Sequence, residues 1–224
     1  SITEGASASK QSECYVEQTV SNLKAMYPDA DINYVNAGVS GTPSALGIMR
    51  YQRDIVGTFD DTPDILFIEF AVNDYQECTD GRAMESLIRQ ALEADEKTAV
   101  CLLYSVSKSK WNVQDVSVPM GELYGLPMVS LKDGTKEAFE SGALTDEEYF
   151  TDDYHPTTYG HTIMADCIKY MFTEAAKKEV PAEVSGIPDK MVKGADFDGN
   201  RLVTSKDSAD AKIVCGGFDG KDSE

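Results

Sequence analysis

The segment TDDYHPTTYGH, residues 151–161, places a histidine three residues after an aspartate. On a tight turn, the carboxylate of Asp152 could accept the Nδ1 proton of His155 and leave the other ring nitrogen to act as a base. Such a base needs a nucleophile, and a serine stands at the far end of the chain in SITEG, residues 1–5. The Asp-x-x-His spacing alone is common, and the alternative interpretation is a surface turn followed by a helix cap. For the second histidine, His161, we favour a structural role within the following helix.

Two further segments could supply hydrogen-bond donors to an oxyanion. VNAGVSGT, residues 35–42, has glycines at the end of a predicted strand, where backbone N–H groups can point into a cleft. In EFAVNDYQ, residues 69–76, Asn73 follows an apolar run and offers a side-chain amide. The alternatives are an ordinary turn for the first segment and a helix cap for Asn73. Glu69 is unusual in an apolar strand, and we expect it to have a buried hydrogen-bond partner rather than a catalytic role.

Apolar runs and helical periodicity alternate over about 175 residues and indicate an α/β fold. The runs predict strands over 31–38, 64–72, 98–106 and 126–131, and the periodicity predicts helices over 13–27, 44–56, 79–93, 133–142 and 157–178. This alternation is typical of a parallel sheet with helices on both faces. Binding sites in such sheets form at the carboxyl ends of the strands. The residues at the ends of the predicted strands are Asn36, Ala37 and Gly38, then Asn73 and Asp74, then Ser105.

Net charge, apolar runs and cysteine spacing limit the kinds of partner and binding site that the protein can have. The 224 residues carry a formal net charge of −19, which argues against nucleic acid and anionic membranes as partners. No apolar run approaches the roughly 20 residues that a transmembrane helix needs. The five cysteines form no Cys-x-x-Cys pair, so we expect no metal site. Cys101 and Cys167 are predicted to be core thiols, which leaves a single disulfide among the other three cysteines as an alternative.

The segments SITEG, NAGVSG, AVND and DDYHP occur in this order along the chain. This combination resembles the SGNH (GDSL-like) hydrolase family, whose four blocks supply Ser, Gly, Asn and His. The resemblance extends from residue 1 to about residue 175. It implies a flavodoxin-like three-layer α/β/α sandwich and a serine esterase that needs neither a cofactor nor a metal.

The resemblance also implies a role for each matching residue. Ser1 would be the nucleophile, His155 the general base and Asp152 the group that orients it. The oxyanion hole would be formed by the N–H groups of Ser1 and Gly38 and by the side-chain amide of Asn73.

The stretches NAGVSGTPSALGIMRYQRDIV and PDILFIEFAVND resemble more narrowly a bacterial branch of the family that includes carbohydrate esterases. This branch implies a small acyl ester, preferably acetyl, on a sugar or polysaccharide, and favours a secreted or cell-surface location, with a cytoplasmic one left open. The alternatives are a lipase or acylhydrolase acting on simple or lipid esters, and a non-catalytic carbohydrate-binding fragment. The loop 105–118 holds the single tryptophan, Trp111, and is expected either to shape the substrate pocket or to pack in an ordinary way.

We predict a hydrolase domain over residues 1–180 and a β-rich extension over 185–224, in which Gly-rich turns separate short apolar stretches. In members of this branch a β-sandwich often follows the hydrolase domain, and the extension resembles the beginning of one. A sheet of this kind also needs a strand that leads into the nucleophile turn. The sequence has none before Ser1, so we expect the natural chain to begin earlier.

Overall fold

A computed structural model of the chain describes residues 1–75, 77–179 and 186–203. The sheet within these residues is parallel and has the strand order β1-β2-β3. Its strands are β1 (Ile65–Ile68), β2 (Ala99–Tyr104) and β3 (Met128–Ser130). In the parallel ladders, Leu66 of β1 pairs with Val100 of β2, and Leu103 of β2 pairs with Val129 of β3. The predicted parallel sheet is therefore confirmed, with strands shorter than the apolar runs that encode them.

Helices precede, separate and follow the strands. They are α1 (Tyr15–Met26), α2 (Ser44–Tyr51), α3 (Gly57–Phe59), α4 (Arg82–Ala94), α5 (Gln114–Tyr124), α6 (Leu131–Gly134), α7 (Lys136–Ser141), α8 (Asp146–Tyr149) and α9 (Thr158–Ala175). A π-helical turn, Gln52–Val56, connects α2 to α3. Within the described ranges, no helix is long and apolar enough to cross a membrane.

Strand β2 divides the hydrophobic core into two layers. Val100 and Leu102 pack in a cluster with Ile88 of α4, whereas Cys101 and Leu103 pack in a second cluster with Met164 of α9. Successive strand side chains point to opposite faces of a sheet, so a strand covered by helices on both faces is apolar throughout. The burial of β2 on both faces confirms the three-layer α/β/α architecture.

The predicted strand over residues 31–38 is wrong for the described structure. These residues form neither a helix nor a strand, and they make no strand ladder with another described segment. They and β1 instead line one cavity of about 870 Å³. A strand requires a neighbouring backbone at hydrogen-bond distance, which apolar periodicity alone does not supply.

Helix α5 was not predicted from the sequence. Its segment QDVSVPMGELY contains two valines, a proline and a glycine, all of which lower helix propensity. The helix is nevertheless held by burial, since Met120 is fully buried in the cluster that contains Leu102. The predicted helix over 133–142 is correct in position but is divided into α6 and α7 at Thr135.

Residues 186–203 adopt turns and bends that dock onto α4. The buried carboxylate of Glu85 accepts hydrogen bonds from the backbone N–H groups of Val192, Lys193 and Gly194, at 2.5–2.8 Å. Burial alone would raise the pKa of Glu85, but these donors and the Tyr124 hydroxyl hold it below its ordinary value. The rest of the predicted β-rich extension lies outside the described residues.

The described cysteines, Cys14, Cys78, Cys101 and Cys167, are free thiols, and Cys215 lies outside the described residues. Cys101 is buried in the core as predicted, and burial raises the pKa of its thiol to about 12.

His161 is fully buried on α9 and joins three parts of the chain. Its Nε2 lies 3.0 Å from the carbonyl oxygen of Ala6, and its Nδ1 lies 3.3 Å from the backbone nitrogen of Tyr15. Because a carbonyl only accepts and an N–H only donates, the neutral ring with its proton on Nε2 satisfies both partners. Burial accordingly lowers the pKa of His161. This supports the structural role that the sequence favoured.

We predict that His161 makes the fold sensitive to acid. The unfolded chain takes up a proton at this histidine near pH 6.5, whereas the folded chain resists it, so the free energy of unfolding should fall as the pH drops below about 6.5. His161→Gln keeps one donor and one acceptor, and should lower stability at neutral pH but flatten its decline toward about pH 5. Urea unfolding of both proteins at the two pH values measures this, and equal declines would contradict the prediction.

Candidate active site

Ser1, His155 and Asp152 form a continuous line of hydrogen bonds. The Oγ of Ser1 lies 2.8 Å from Nε2 of His155, and Nδ1 of His155 lies 2.8 Å from Oδ2 of Asp152. An imidazole whose Nδ1 proton is given to a carboxylate presents a free Nε2 lone pair to the hydroxyl. The structure thus brings together all three residues that the sequence proposed as a triad, in the geometry needed to activate a serine nucleophile.

A compact turn fixes the histidine. The second carboxylate oxygen of Asp152 accepts the backbone N–H groups of Tyr154 and His155, each at 2.8 Å. The His155 ring, followed by these two N–H groups, lowers the pKa of Asp152 to about 2, so it is ionised at neutral pH. Just beyond the turn, the Thr157 side chain accepts from the Gly160 N–H and caps α9. The loop therefore leads directly into α9, whose inner face is buried.

The serine lies on a turn closed by its own carbonyl. The Ser1 oxygen accepts the N–H groups of Gly5 and Ala6 at 3.1 and 3.0 Å. Gly5 has φ +104°, a conformation that side chains disfavour, so a glycine is needed there. The next residue, Ile2, is 1% exposed and packs in the cluster that includes Met164 of α9. The turn is thus anchored in the core while the serine hydroxyl faces His155.

Thr3 connects the serine turn to three other segments. Its carbonyl accepts the side-chain amide of Asn36 at 2.7 Å. Its hydroxyl lies 3.0 Å from the hydroxyl of Tyr15 and 3.3 Å from a carboxylate oxygen of Glu69. Sequence reasoning did not single out Thr3, and it named Asn36 only as one of the polar residues at a predicted strand end.

Glu69 follows β1 directly and joins the serine turn to the loop that carries Asn73. Besides Thr3, it accepts the hydroxyl of Ser105 at 2.5 Å and the backbone N–H of Ala71 at 3.2 Å. Burial raises the pKa of Glu69, although each of these donors opposes the shift. The expected buried partner of Glu69 is therefore present, and it is the hydroxyl at the end of the neighbouring strand.

The proposed oxyanion donors Ser1, Gly38 and Asn73 line one cavity. The N–H of Gly38, however, donates to the side-chain oxygen of Asn36 at 3.0 Å. A Cβ at position 38 would lie 2.5 Å from the Glu4 nitrogen, so the glycine allows its loop to pack against the serine turn. The Asn73 side chain makes no hydrogen bond within the described part of the chain, and its amide is available to a ligand.

Comparison with known proteins identifies the family. The model of the GDSL-like lipase/acylhydrolase family matches residues 1–163. The chain therefore belongs to this family. A comparison with curated proteins finds no match.

Solved structures of esterases have a similar fold. Two structures of a two-domain esterase active on acetylated mannans, one co-crystallized with mannopentaose, match with TM-scores of 0.79 and 0.74 at 29% and 31% identity. The matched regions cover 86% and 83% of this chain, respectively. They cover 52% and 50% of the solved chains, so this chain spans about half the length of that esterase. An acetylxylan esterase from Geobacillus stearothermophilus matches with a TM-score of 0.59 at 22% identity, covering 70% of this chain and 80% of its own, and supports the fold alone.

We predict that Glu69 positions the serine turn relative to the Asn73 loop. In Glu69→Gln, an NH₂ group replaces one of two acceptor oxygens. The Ala71 N–H cannot accept from it, and the Thr3 and Ser105 hydroxyls can do so only by reversing their own hydrogen bonds. An unsatisfied buried donor costs about 1–3 kcal/mol, so the turn should shift and kcat for ester hydrolysis should fall about tenfold or more with little change in KM.

Glu85→Gln is the matched control for this variant. It changes a second buried carboxylate with backbone N–H partners, but one that holds residues 192–194 rather than the site. The control should lose stability and keep its kcat. Steady-state kinetics and urea unfolding on all three proteins decide the outcome, and a Glu69→Gln enzyme with unchanged kcat would contradict the positioning role.

Proposed function

We propose that this family member is a serine esterase that removes small acyl groups, preferably acetyl, from carbohydrate esters. Ser1 is the nucleophile, His155 the general base and Asp152 the residue that orients the base. The observation that carries the proposal is the unbroken hydrogen-bond line from the serine hydroxyl through the imidazole to the carboxylate.

The reaction begins when the Ser1 Oγ attacks the ester carbonyl and its proton passes to Nε2 of His155. Negative charge develops on the carbonyl oxygen and is stabilised by the side-chain amide of Asn73 and the backbone nitrogen of Ser1. His155 then returns the proton to the departing sugar oxygen, which leaves an acyl group on Ser1. Water, deprotonated by the same imidazole, attacks this acyl-enzyme and releases the carboxylic acid.

Gly38 enters the oxyanion hole on one condition. Its N–H is bonded to Asn36 in the structure, so it can serve the oxyanion only by exchanging that partner for the substrate oxygen. The exchange becomes more favourable as negative charge develops, because a hydrogen bond to a charged acceptor is roughly twice as strong as a neutral one. Gly38 would thus contribute more in the transition state than in the ground state.

Two observations support an acylated carbohydrate as the substrate. Esterases of similar structure act on acetylated mannans. The net charge of −19 disfavours anionic substrates and anionic lipid surfaces, whereas a neutral sugar ester meets no electrostatic barrier.

The triad predicts a graded set of losses. Ser1→Ala and His155→Ala should each lower kcat for p-nitrophenyl acetate by about 10³-fold or more, because the nucleophile or its base is removed. Asp152→Ala should cost less, because it removes the group that orients the imidazole but leaves the nucleophile and the base. Asp153→Ala is the matched control, since Asp153 meets the neighbouring loop through its carbonyl. Full activity of Ser1→Ala or His155→Ala, in protein expressed from the full gene, would rule out the assignment.

The substrate class is tested with a panel of esters. We expect kcat/KM to be higher for acetylated mannan or xylan oligosaccharides than for p-nitrophenyl acetate, and to fall as the acyl chain lengthens from acetate to octanoate. Acid release is measured with each ester at matched concentration. A preference for octanoate and indifference to the sugar would favour the alternative of a general acylhydrolase.

A further inference from the structure

We propose that Trp111 and Tyr75 form a subsite for the sugar ring that carries the ester. The two residues make an aromatic corner, and a neutral pyranose is its ligand. This inference rests on the proposed function and deepens it by naming the surface that recognises the alcohol part of the substrate.

The two rings meet edge to face. Their centroids lie 4.9 Å apart and their planes are at 84° to each other. Tyr75 is 60% exposed, and Trp111 is partly buried. Two aromatic planes at a right angle on a protein surface offer apolar faces that pack against the C–H groups of a sugar, while the indole N–H can donate to one of its hydroxyls.

Backbone hydrogen bonds place the corner between the catalytic loops. On one side, the Lys108 N–H donates to the carbonyl of Asp153, which adjoins Asp152 of the triad, at 2.8 Å. On the other side, the Val113 N–H donates to the carbonyl of Ala71, two residues before Asn73, at 2.8 Å. Tyr75 itself follows Asn73 by two residues. A sugar on this corner therefore lies next to the groups proposed to act on its ester.

The loop that carries Trp111 is rigid. The backbone carbonyl of Trp111 accepts the backbone N–H of Ser107 at 2.9 Å, and the backbone N–H of Trp111 donates to the Ser107 hydroxyl at 3.1 Å. Asn112 is buried and donates to the carbonyl of Ser105 at 2.8 Å.

The residue just before the tryptophan is fixed as well. Lys110 has φ +62°, and its ammonium group pairs with Asp146 and lies 3.6 Å from the ring centroid of Phe139. These contacts compensate for a backbone conformation that a lysine disfavours. An aromatic side chain held in advance loses little conformational entropy on binding, as a recognition surface requires.

Trp111 is the only tryptophan, so its fluorescence reports on the corner directly. The binding experiment uses Ser1→Ala, which cannot turn over the ester, and titrates it with acetylated mannopentaose. We expect a saturable change in tryptophan emission. Adding Tyr75→Ala should raise Kd about tenfold, whereas adding Tyr170→Ala, which removes a 66% exposed tyrosine from α9, should leave Kd unchanged. Unchanged emission at saturating sugar would overturn the proposal.

The kinetic experiment compares two esters in each variant. Trp111→Ala should lower the ratio of kcat/KM for acetylated mannopentaose to kcat/KM for p-nitrophenyl acetate at least about tenfold, and Tyr170→Ala should leave this ratio unchanged. Equal losses on both esters would indicate that Trp111 serves only packing, and would overturn the subsite. If the wild-type protein hydrolysed neither ester while the sugar still changed the Trp111 emission, the proposed function would fail and the subsite would stand.

Discussion

The hydrogen bond between Ser1 and His155 joins side chains 154 positions apart, and the rest of the site depends on it. Such a contact forms only if the first turn of the chain is held against the last long helix. Helix α9 provides this through His161, which bonds to Ala6, and through Thr158, whose hydroxyl accepts the Ser9 N–H at 2.9 Å. The geometry of the proposed triad is thus maintained by contacts that lie outside the triad.

Two carboxylates, the partly buried Glu69 and the buried Glu85, each join separate segments of the chain. Glu69 joins the serine turn to the Asn73 loop, and Glu85 joins residues 192–194 to α4. A buried charge is costly unless donors surround it, and both residues have several. The two differ in what they hold, since Glu69 bonds to the serine turn and the Asn73 loop, whereas Glu85 bonds to residues 192–194.

Polar groups and aromatic side chains lie close together in the proposed site. The side-chain amide of Asn73 has no hydrogen-bond partner among the described residues. The Gly38 N–H donates to Asn36. The aromatic corner lies beside the loops that carry Asn73 and His155. Rigid loops suit such a surface because an ester must reach the serine in one orientation for the proton transfers to occur. The net charge of −19 is compatible with the neutral carbohydrate esters proposed as substrates.

The sequence by itself determined the alternation of strands and helices, since a run such as 98–106 is apolar enough only for a strand buried on both faces. It also indicated the candidate triad, because four short segments in order resemble the blocks of a known family, and the Asp-x-x-His spacing among them is local and forms a turn. Tertiary structure decided what depends on distant partners. Residues 31–38 are apolar enough for a strand but have no described neighbour to pair with, and α5 forms despite poor propensity because Met120 is buried. The bonds of Thr3, Asn36 and Glu69 join segments remote in sequence, so no local pattern could reveal them.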